Sequence, residues 1–168
     1  MKKTIIIIAL IIVTSMSLLT LTGCSNEKEN TGETSSSSIF NKKKEFTAEE
    51  IANQLKEKIS DMGKIEVYDE ENDPNNLLGR PNQYTSKINF ADNRIEQYEG
   101  SITGGSIEVF KNSTDMENRK SYVESISAQA SMFAQYIYSE GNYLLRIDKD
   151  LTPSQAKEYE EAFYEIVK

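Results

Sequence analysis

The side chains that most often perform catalysis are scarce in this chain. It contains no histidine and no tryptophan, and Cys24 is its only cysteine. Composition therefore excludes a zinc site of cysteine and histidine, a Ser-His-Asp triad and a Cys-His dyad. Paired carboxylates could still serve as general acid and base, and the chain carries scattered carboxylates such as Glu66 and Glu108. Gly-x-Ser-x-Gly and phosphate-binding glycine motifs are absent, so we expect no enzymatic activity.

An acidic segment is the one feature with a metal-binding pattern. Asp69, Glu71 and Asp73 alternate as the oxygen ligands of a calcium loop do. Pro74 stands where such a loop turns at glycine, and Arg80 stands where its bidentate glutamate belongs. The segment is therefore not an EF-hand. It is either a loose calcium site or an acidic loop exposed to solvent, and we expect no cofactor.

The same loop continues into a segment with the residue types of a recognition surface. Leu77 and Leu78 lie among turn-forming residues, and Arg80 follows between Gly79 and Pro81. The planar fork of an arginine binds carboxylates and phosphates, and Tyr84 could add an amphipathic contact. Leu77, Leu78, Arg80 and Tyr84 are therefore candidate partner-binding residues. Alternatively, the leucines cover the edge of a sheet and Arg80 pairs with a carboxylate of the domain.

The thiol of Cys24 follows a segment that directs export. Lys2 and Lys3 precede a nearly uncharged run over residues 4–21, as in a secretory signal. The run ends in Leu21-Thr22-Gly23-Cys24, which resembles the lipobox of bacterial lipoproteins. That resemblance implies a diacylglyceryl group on Cys24 and cleavage before it. The alternatives are an uncleaved membrane anchor or an unmodified thiol.

These features predict three parts of the chain: a lipoprotein signal peptide over 1–23, a lipidated cysteine with a disordered tether over 24–45, and a single domain over 46–168. The tether is polar and cannot bury enough apolar surface to become ordered. A diacylglyceryl group supplies the two acyl chains that stable anchoring needs. We therefore expect a lipid-anchored protein on the extracytoplasmic face of the cell membrane.

The charge of the chain argues against nucleic acid as a partner. The precursor contains 19 basic and 27 acidic residues. Removal of residues 1–23, which contain Lys2 and Lys3, leaves 17 against 27, a net charge near −10. An acidic protein repels nucleic acid, and the sequence shows no basic stripe with interleaved aromatic residues.

Periodicity and capping signals predict an α+β domain. Thr47 and Glu50 form a capping box before a helix that we expect to end at Gly63. A second helix begins near Thr114, and Thr152 with Gln155 caps a third. The expected stripe of the second helix is Met116, Val123, Ile126, Ala130 and Phe133.

Alternating segments predict the strands between these helices. They lie near Ile65–Val67, Tyr84–Phe90 and Ser101–Phe110, with a possible short strand at Ile95–Tyr98 and a hairpin at 136–147. Gly104 and Gly105 suggest a bulge or a close approach of another group. The order α-β-β-β-α-β-β-α predicts a two-layer antiparallel β-sheet with helices packed on one face.

Several segments resemble small uncharacterised lipoproteins of Gram-positive bacteria. They are Asn72 to Pro81, Tyr84 to Lys87, Gly104 to Phe110 with Arg119 and Tyr122, Tyr136 to Tyr138, Leu144 to Arg146, and Leu151 to Ala156. The resemblance covers most of residues 68–160. It implies a location and a domain type, and it assigns no catalytic or binding residue.

Two classes of function follow. The first is a membrane-anchored binding or interaction module without catalytic activity, whose partner is an envelope protein, a peptide or a small ligand. Its support is the anchor, the tether and the segment from Leu77 to Tyr84. The alternative is a calcium-dependent accessory or a carboxylate-based envelope hydrolase, supported by the acidic loop and the scattered carboxylates.

Overall fold

The computed structural model describes residues 44–168, which form an antiparallel sheet of five strands with three α-helices. The predicted α+β class and element order are confirmed. The bounds are α1 Ala48–Lys58, β1 Met62–Val67, β2 Ser86–Asp92, β3 Gly104–Val109, α2 Ser113–Gln129, β4 Gln135–Glu140, β5 Tyr143–Asp148 and α3 Pro153–Val167, with a 3-10 turn at Ser131–Phe133.

The predictions for the N-terminal part of the chain concern residues that the structure does not describe. The signal peptide over 1–23, Cys24 and the tether as far as residue 43 lie outside the described residues. Within 44–168, no helix has the length and apolar character that crossing a membrane requires.

The helix ends follow from local capping. The Thr47 hydroxyl accepts from the Glu50 amide at 3.1 Å, and the Glu50 carboxylate accepts from the Thr47 amide at 2.9 Å. Thr152 and Gln155 form the same box at the start of α3. Each such cap contributes about 1 kcal/mol. The expected end of α1 at Gly63 is wrong, because the helix stops at Lys58 and Gly63 already belongs to β1.

The strands lie in the order β1-β2-β3-β5-β4, and every neighbouring pair is antiparallel. The chain passes from β3 through α2 to the edge strand β4. It then turns at Gly141, whose φ of 58° suits glycine, and β5 fills the position between β3 and β4. The predicted hairpin is therefore present. The possible strand at Ile95–Tyr98 is wrong, since these residues form a turn and a loop without strand structure.

The two faces of the sheet carry different helices. Ile107 and Val109 of β3 belong to the main apolar core, which also contains the buried residues of α1 and α3. Glu108 points to the opposite face, where it bonds to Arg119 of α2. The expectation of helices on one face therefore holds for α1 and α3, whereas α2 covers the other face. Period-two alternation alone cannot assign a helix to one face of a sheet that is buried on both.

A second apolar cluster forms under α2. It contains Leu78, Tyr84, Phe110, Met116 and Leu144, with Leu77 and Ile137 packed against it. The loop between β1 and β2 therefore shares this second face of the sheet with α2. Burial of a leucine or phenylalanine side chain contributes about 1.5–3 kcal/mol, so the cluster stabilises the position of both segments.

Gly104 and Gly105 allow a close approach rather than a bulge. They pair in regular register with Ala91 and Phe90 of β2. A Cβ atom on Gly104 would lie 2.5 Å from the backbone nitrogen of Asp92, and one on Gly105 would overlap the Phe90 ring. Gly104 is needed because the backbone of β2 lies against it, and Gly105 is needed because the Phe90 ring, which stacks on Tyr159 of α3, fills the space of a side chain.

Candidate binding cleft

The acidic loop is organised around one buried carboxylate. Asp73 accepts a hydrogen bond from Lys87 Nζ at 2.6 Å and from the Tyr84 hydroxyl at 2.6 Å. The backbone amides of Asn75, Leu77 and Leu78 donate to the same carboxylate. These bonds hold the loop between β1 and β2 against strand β2, which carries Lys87.

The donors around Asp73 fix its charge. Burial alone would raise the pKa of Asp73, but Lys87, Tyr84 and the backbone amides outweigh burial and hold the pKa well below its usual range. Burial lowers the pKa of Lys87, and Asp73 opposes that change. Burial and the hydrogen bond to Asp73 raise the pKa of Tyr84 well above its usual range. We conclude that Asp73 and Lys87 form an ion pair supported by a neutral tyrosine.

The calcium pattern of the sequence is not gathered into one set of ligands. Asp69 Oδ1 accepts from the amides of Glu71 at 2.9 Å and Asn72 at 3.0 Å, as in a local turn. Both oxygens of Asp73 already accept from protein donors. Across residues 44–168, no three acidic, cysteine or histidine side chains are grouped so that they could hold a metal ion. Calcium binding therefore stays a prediction that this geometry does not support.

The four residues proposed to bind a partner separate into two groups. Leu78 and Tyr84 are buried and belong to the second apolar cluster. Arg80 is exposed, and its Nη2 donates to Asn76 Oδ1 at 2.8 Å rather than to a carboxylate. Leu77 is half-buried and lines a cleft. The fold thus uses Leu78 and Tyr84 for structure, leaves Arg80 at the surface, and brings only Leu77 to a concave site.

That cleft has a volume of about 940 Å³ and lies beside α2. Its walls come from the loop that contains Leu77, the loop near Tyr98, the helix α2 and its following turn, and the start of β4 with the end of β5. Ligand cavities in proteins commonly measure about 300–1,000 Å³. We refer to this site as the α2 cleft.

The apolar wall of the α2 cleft includes Val123, Ile126 and Phe133, which the sequence predicted to be buried. Met116 and Val123 of the expected stripe are buried, but Ile126 is only half-buried and Phe133 is 55% exposed. Met132 is 71% exposed and Tyr122 is 57% exposed beside them. The buried stripe therefore stops near Val123, and the remaining apolar side chains face an open cleft instead of a packed core.

Two arginines lie on the inner side of the cleft, with a carboxylate between them. Arg119 Nε and Nη2 donate to the two oxygens of Glu108 at 3.0 and 3.2 Å. Arg146 Nη2 donates to Glu108 Oε1 at 2.8 Å, and its Nη1 donates to Gln135 at 3.2 Å. We call Glu108, Arg119 and Arg146 the charged floor of the cleft.

The charged floor holds more positive than negative charge. Burial would raise the pKa of Glu108, but Arg146 and Arg119 outweigh it and keep the pKa below its ordinary value. Glu108 is therefore ionised, and the floor carries one excess positive charge. Arg146 Nε is buried and has no hydrogen-bond partner among the described residues. Buried donors are normally paired, so this atom marks an incompletely satisfied site.

The outer rim has the opposite charge balance. Lys149 Nζ lies 2.6 Å from Asp150 Oδ1, and Asp148 Oδ1 accepts from the Asp150 amide at 2.9 Å. Lys149 and Asp150 have side chains 42% and 60% exposed, so solvent screens their charges strongly. The arginine side chains of the floor are only 10% and 14% exposed. Solvent therefore screens the Lys149–Asp150 pair more than the floor, while half-buried Asp148 adds one negative charge at the rim.

Comparison with known proteins gives no assignment for this arrangement. No family model, curated protein or solved structure matches the chain. The assignment of a site thus rests on the geometry described above.

The charged floor was not predicted from the sequence. Glu108 was considered there only as a scattered carboxylate, and neither Arg119 nor Arg146 was proposed as a site residue. A signal was present, because Arg146 interrupts the apolar strand from Tyr143 to Ile147 and Glu108 interrupts the apolar end of β3. A charged residue in a strand buried on both faces needs a partner of opposite charge, which predicts that these two side chains meet.

Proposed function

We propose that this protein is a membrane-anchored, extracytoplasmic lipoprotein that binds a ligand in the α2 cleft and has no catalytic activity. The signal segment and Cys24 support the location. The cleft supports binding, since a concave apolar wall with a few convergent polar groups is the usual form of a ligand site. One observation carries the proposal: apolar side chains of α2 and its following turn line a cavity instead of packing into the core.

The exposed apolar side chains of the α2 cleft form a contiguous group and are not isolated surface residues. Tyr122, Met132 and Phe133 are each more than half exposed, and all three line the same cleft as Tyr98. Single exposed apolar residues are common, whereas a contiguous group rimmed by polar residues marks an interaction site. A ligand that covers them would gain about 25 cal/mol for each Å² of apolar surface removed from water.

The chemistry of the floor favours binding over hydrolysis. A general acid needs a carboxyl group that keeps its proton near neutral pH, which requires a raised pKa. The pKa of Glu108 is lowered instead, and both of its oxygens accept from arginines. Glu66, the other carboxylate considered above, is half-buried on β1 with Lys64 3.6 Å away. Glu108 is thus suited to hold the arginines in place.

A neutral fluorescent probe tests the proposal. The chain from Ser25 to Lys168, which contains all described residues, is titrated with N-phenyl-1-naphthylamine, whose emission rises in an apolar site. We expect saturable binding that the double substitution Met132→Ser and Phe133→Ser weakens at least about fivefold. Val67→Ser is the matched control, because Val67 is 46% exposed but lies on β1 outside the cleft. Equal binding by all three chains would refute the cleft as a ligand site.

A further inference from the structure

The α2 cleft has features that define the chemistry of its ligand more closely, and this inference rests on the function proposed above. We propose that the cleft binds the C-terminal end of a peptide, with the terminal carboxylate on Arg119 and Arg146 and an apolar last residue against α2. Three properties of the cleft support this assignment: the charge of its floor, the free donors of its arginines, and the amide side chains in its walls.

The excess positive charge of the floor would be balanced by one singly charged anion. Two guanidinium groups share the single carboxylate of Glu108, and neighbouring Lys87 is balanced by Asp73. The buried network therefore contains one positive charge in excess. A charge removed from water is stable only when it is paired and hydrogen-bonded. One ligand carboxylate would complete the balance, whereas a phosphate with two charges would exceed it.

The arginines still have donors to offer. The bonds from Arg119 to Glu108 use Nε and Nη2, so they leave the Nη1 donors of Arg119 available. Arg146 Nε is itself buried, so a ligand would meet the other atoms of the Arg146 guanidinium, whose side chain is 14% exposed and lines the cleft. Glu108 holds both guanidinium groups in position before a ligand arrives. Preorganised, partly desolvated arginines form the strong class of carboxylate contacts.

The walls carry groups that suit peptide bonds as well as apolar side chains. Asn75, Asn82, Gln83, Asn118 and Gln135 all line the cleft beside the apolar wall. Gln135 already accepts from Arg146 and Asn75 already donates to the Tyr84 hydroxyl, whereas the amides of Asn82, Gln83 and Asn118 offer both donors and an acceptor, which is what a peptide backbone needs. An aliphatic carboxylate would leave these groups without ligand partners. The combination therefore favours a peptide terminus over a fatty acid, although both share an apolar body that ends in a carboxylate.

The test compares two pairs of ligands, and the members of each pair differ only at the end of the molecule. Displacement of N-phenyl-1-naphthylamine is measured for Ala-Ala-Phe-Leu with a free carboxylate, for the same peptide as its C-terminal amide, for decanoate and for decanol. We expect the peptide acid to bind at least about tenfold more tightly than the peptide amide, because the amide cannot form charge-assisted hydrogen bonds with the arginines. We also expect the peptide acid to displace the probe at lower concentration than decanoate.

Substitutions locate the carboxylate. Arg146→Gln should abolish the preference for the acid over the amide, while probe binding remains as evidence that the cleft is intact. Arg80→Gln is the matched control, because it removes an exposed arginine that does not line the cleft. If Arg146→Gln does not fold, Arg119→Gln provides the second test, because Arg119 is the other proposed contact of the carboxylate. This substitution should likewise abolish the preference for the peptide acid.

The outcomes separately test the carboxylate contact, the peptide and the position of the site. Equal displacement by peptide acid and peptide amide would overturn the carboxylate assignment, and tighter binding of decanoate would overturn the peptide. Loss of the preference in Arg80→Gln but not in Arg146→Gln would move the site to the loop surface. In all these cases continued binding of the neutral probe would leave the cleft as a ligand site, whereas absence of probe binding would refute the proposed function itself.

Discussion

Asp73 and Lys87 form an ion pair of 2.6 Å in which solvent reaches 0% of the aspartate side chain and 2% of the lysine side chain. The pair joins the loop between β1 and β2 to strand β2. Because Leu77 of that loop lines the α2 cleft, the pair determines the position of one wall of the proposed site.

Asp73→Ala should be strongly destabilising. The substitution leaves the Lys87 ammonium and the Tyr84 hydroxyl buried without their acceptor, and loss of one partner of a buried ion pair costs about 3–5 kcal/mol. We expect the free energy of unfolding in urea to fall by about that amount.

Glu71→Ala is the control from the same loop, because Glu71 is exposed. Its free energy of unfolding should change by less than about 0.5 kcal/mol. A loss of less than about 1 kcal/mol for Asp73→Ala would show that the ion pair does not hold the loop.

The buried carboxylates predict sensitivity to acid. Burial acts to raise the pKa values of Asp73, Asp92 and Glu108, but their cationic and hydrogen-bonding partners outweigh it and lower all three. Groups with lowered pKa values in the folded state stabilise it fully above their unfolded pKa of about 4, and this contribution is lost as the pH falls toward the folded value.

Urea unfolding measured at intervals from about pH 6 down to about pH 2.5 checks this expectation. The free energy of unfolding should be nearly constant at first and then decrease below about pH 5. Asp73→Ala should show a shallower decrease, because one of the three groups is missing. An identical slope in the parent and in Asp73→Ala would mean that Asp73 has an ordinary pKa in the folded protein.

The prominent patterns of the sequence predicted the order of elements but not the side on which α2 packs. Capping boxes such as Thr47 with Glu50 act locally, so they identify helix ends without tertiary information. Of the predicted stripe, Met116 and Val123 are buried, whereas α2 ends at Gln129, so that Ala130 and the exposed Phe133 lie beyond the helix. The pattern could not show that a cleft opens beside Ile126 and Phe133, because the other walls of that cleft come from residues distant in the chain.

Calcium should have little effect on the described domain. Both oxygens of Asp73 already accept from protein donors, and Asp69 caps a local turn. A ligand that binds the folded state raises the melting temperature as its concentration passes the dissociation constant. We expect a shift of less than about 1 °C between chelator and millimolar calcium. A saturable increase that Asp69→Asn abolishes would restore the calcium site.

Cys24→Ala tests the location. If the Leu21-Thr22-Gly23-Cys24 segment is a lipobox, the variant should accumulate as the uncleaved precursor and should not incorporate labelled palmitate. Cys24→Ser is a second variant of nearly the same side-chain size. It also lacks the thiol that forms the thioether, so it should give the same result as Cys24→Ala. Normal cleavage together with partition of Cys24→Ala into detergent would contradict lipid anchoring through this residue.

The most direct test of the central claim is a map of where a ligand binds. Backbone amide chemical shifts of the chain from Ser25 to Lys168 are recorded during titration with N-phenyl-1-naphthylamine and then with Ala-Ala-Phe-Leu. The α2 cleft predicts saturable shifts concentrated at residues 118–135 and 146–150, with little change in α1 or β1. Shifts centred on α1, on α3 or on the exposed Arg80 surface, or no saturable shift with either ligand, would contradict it.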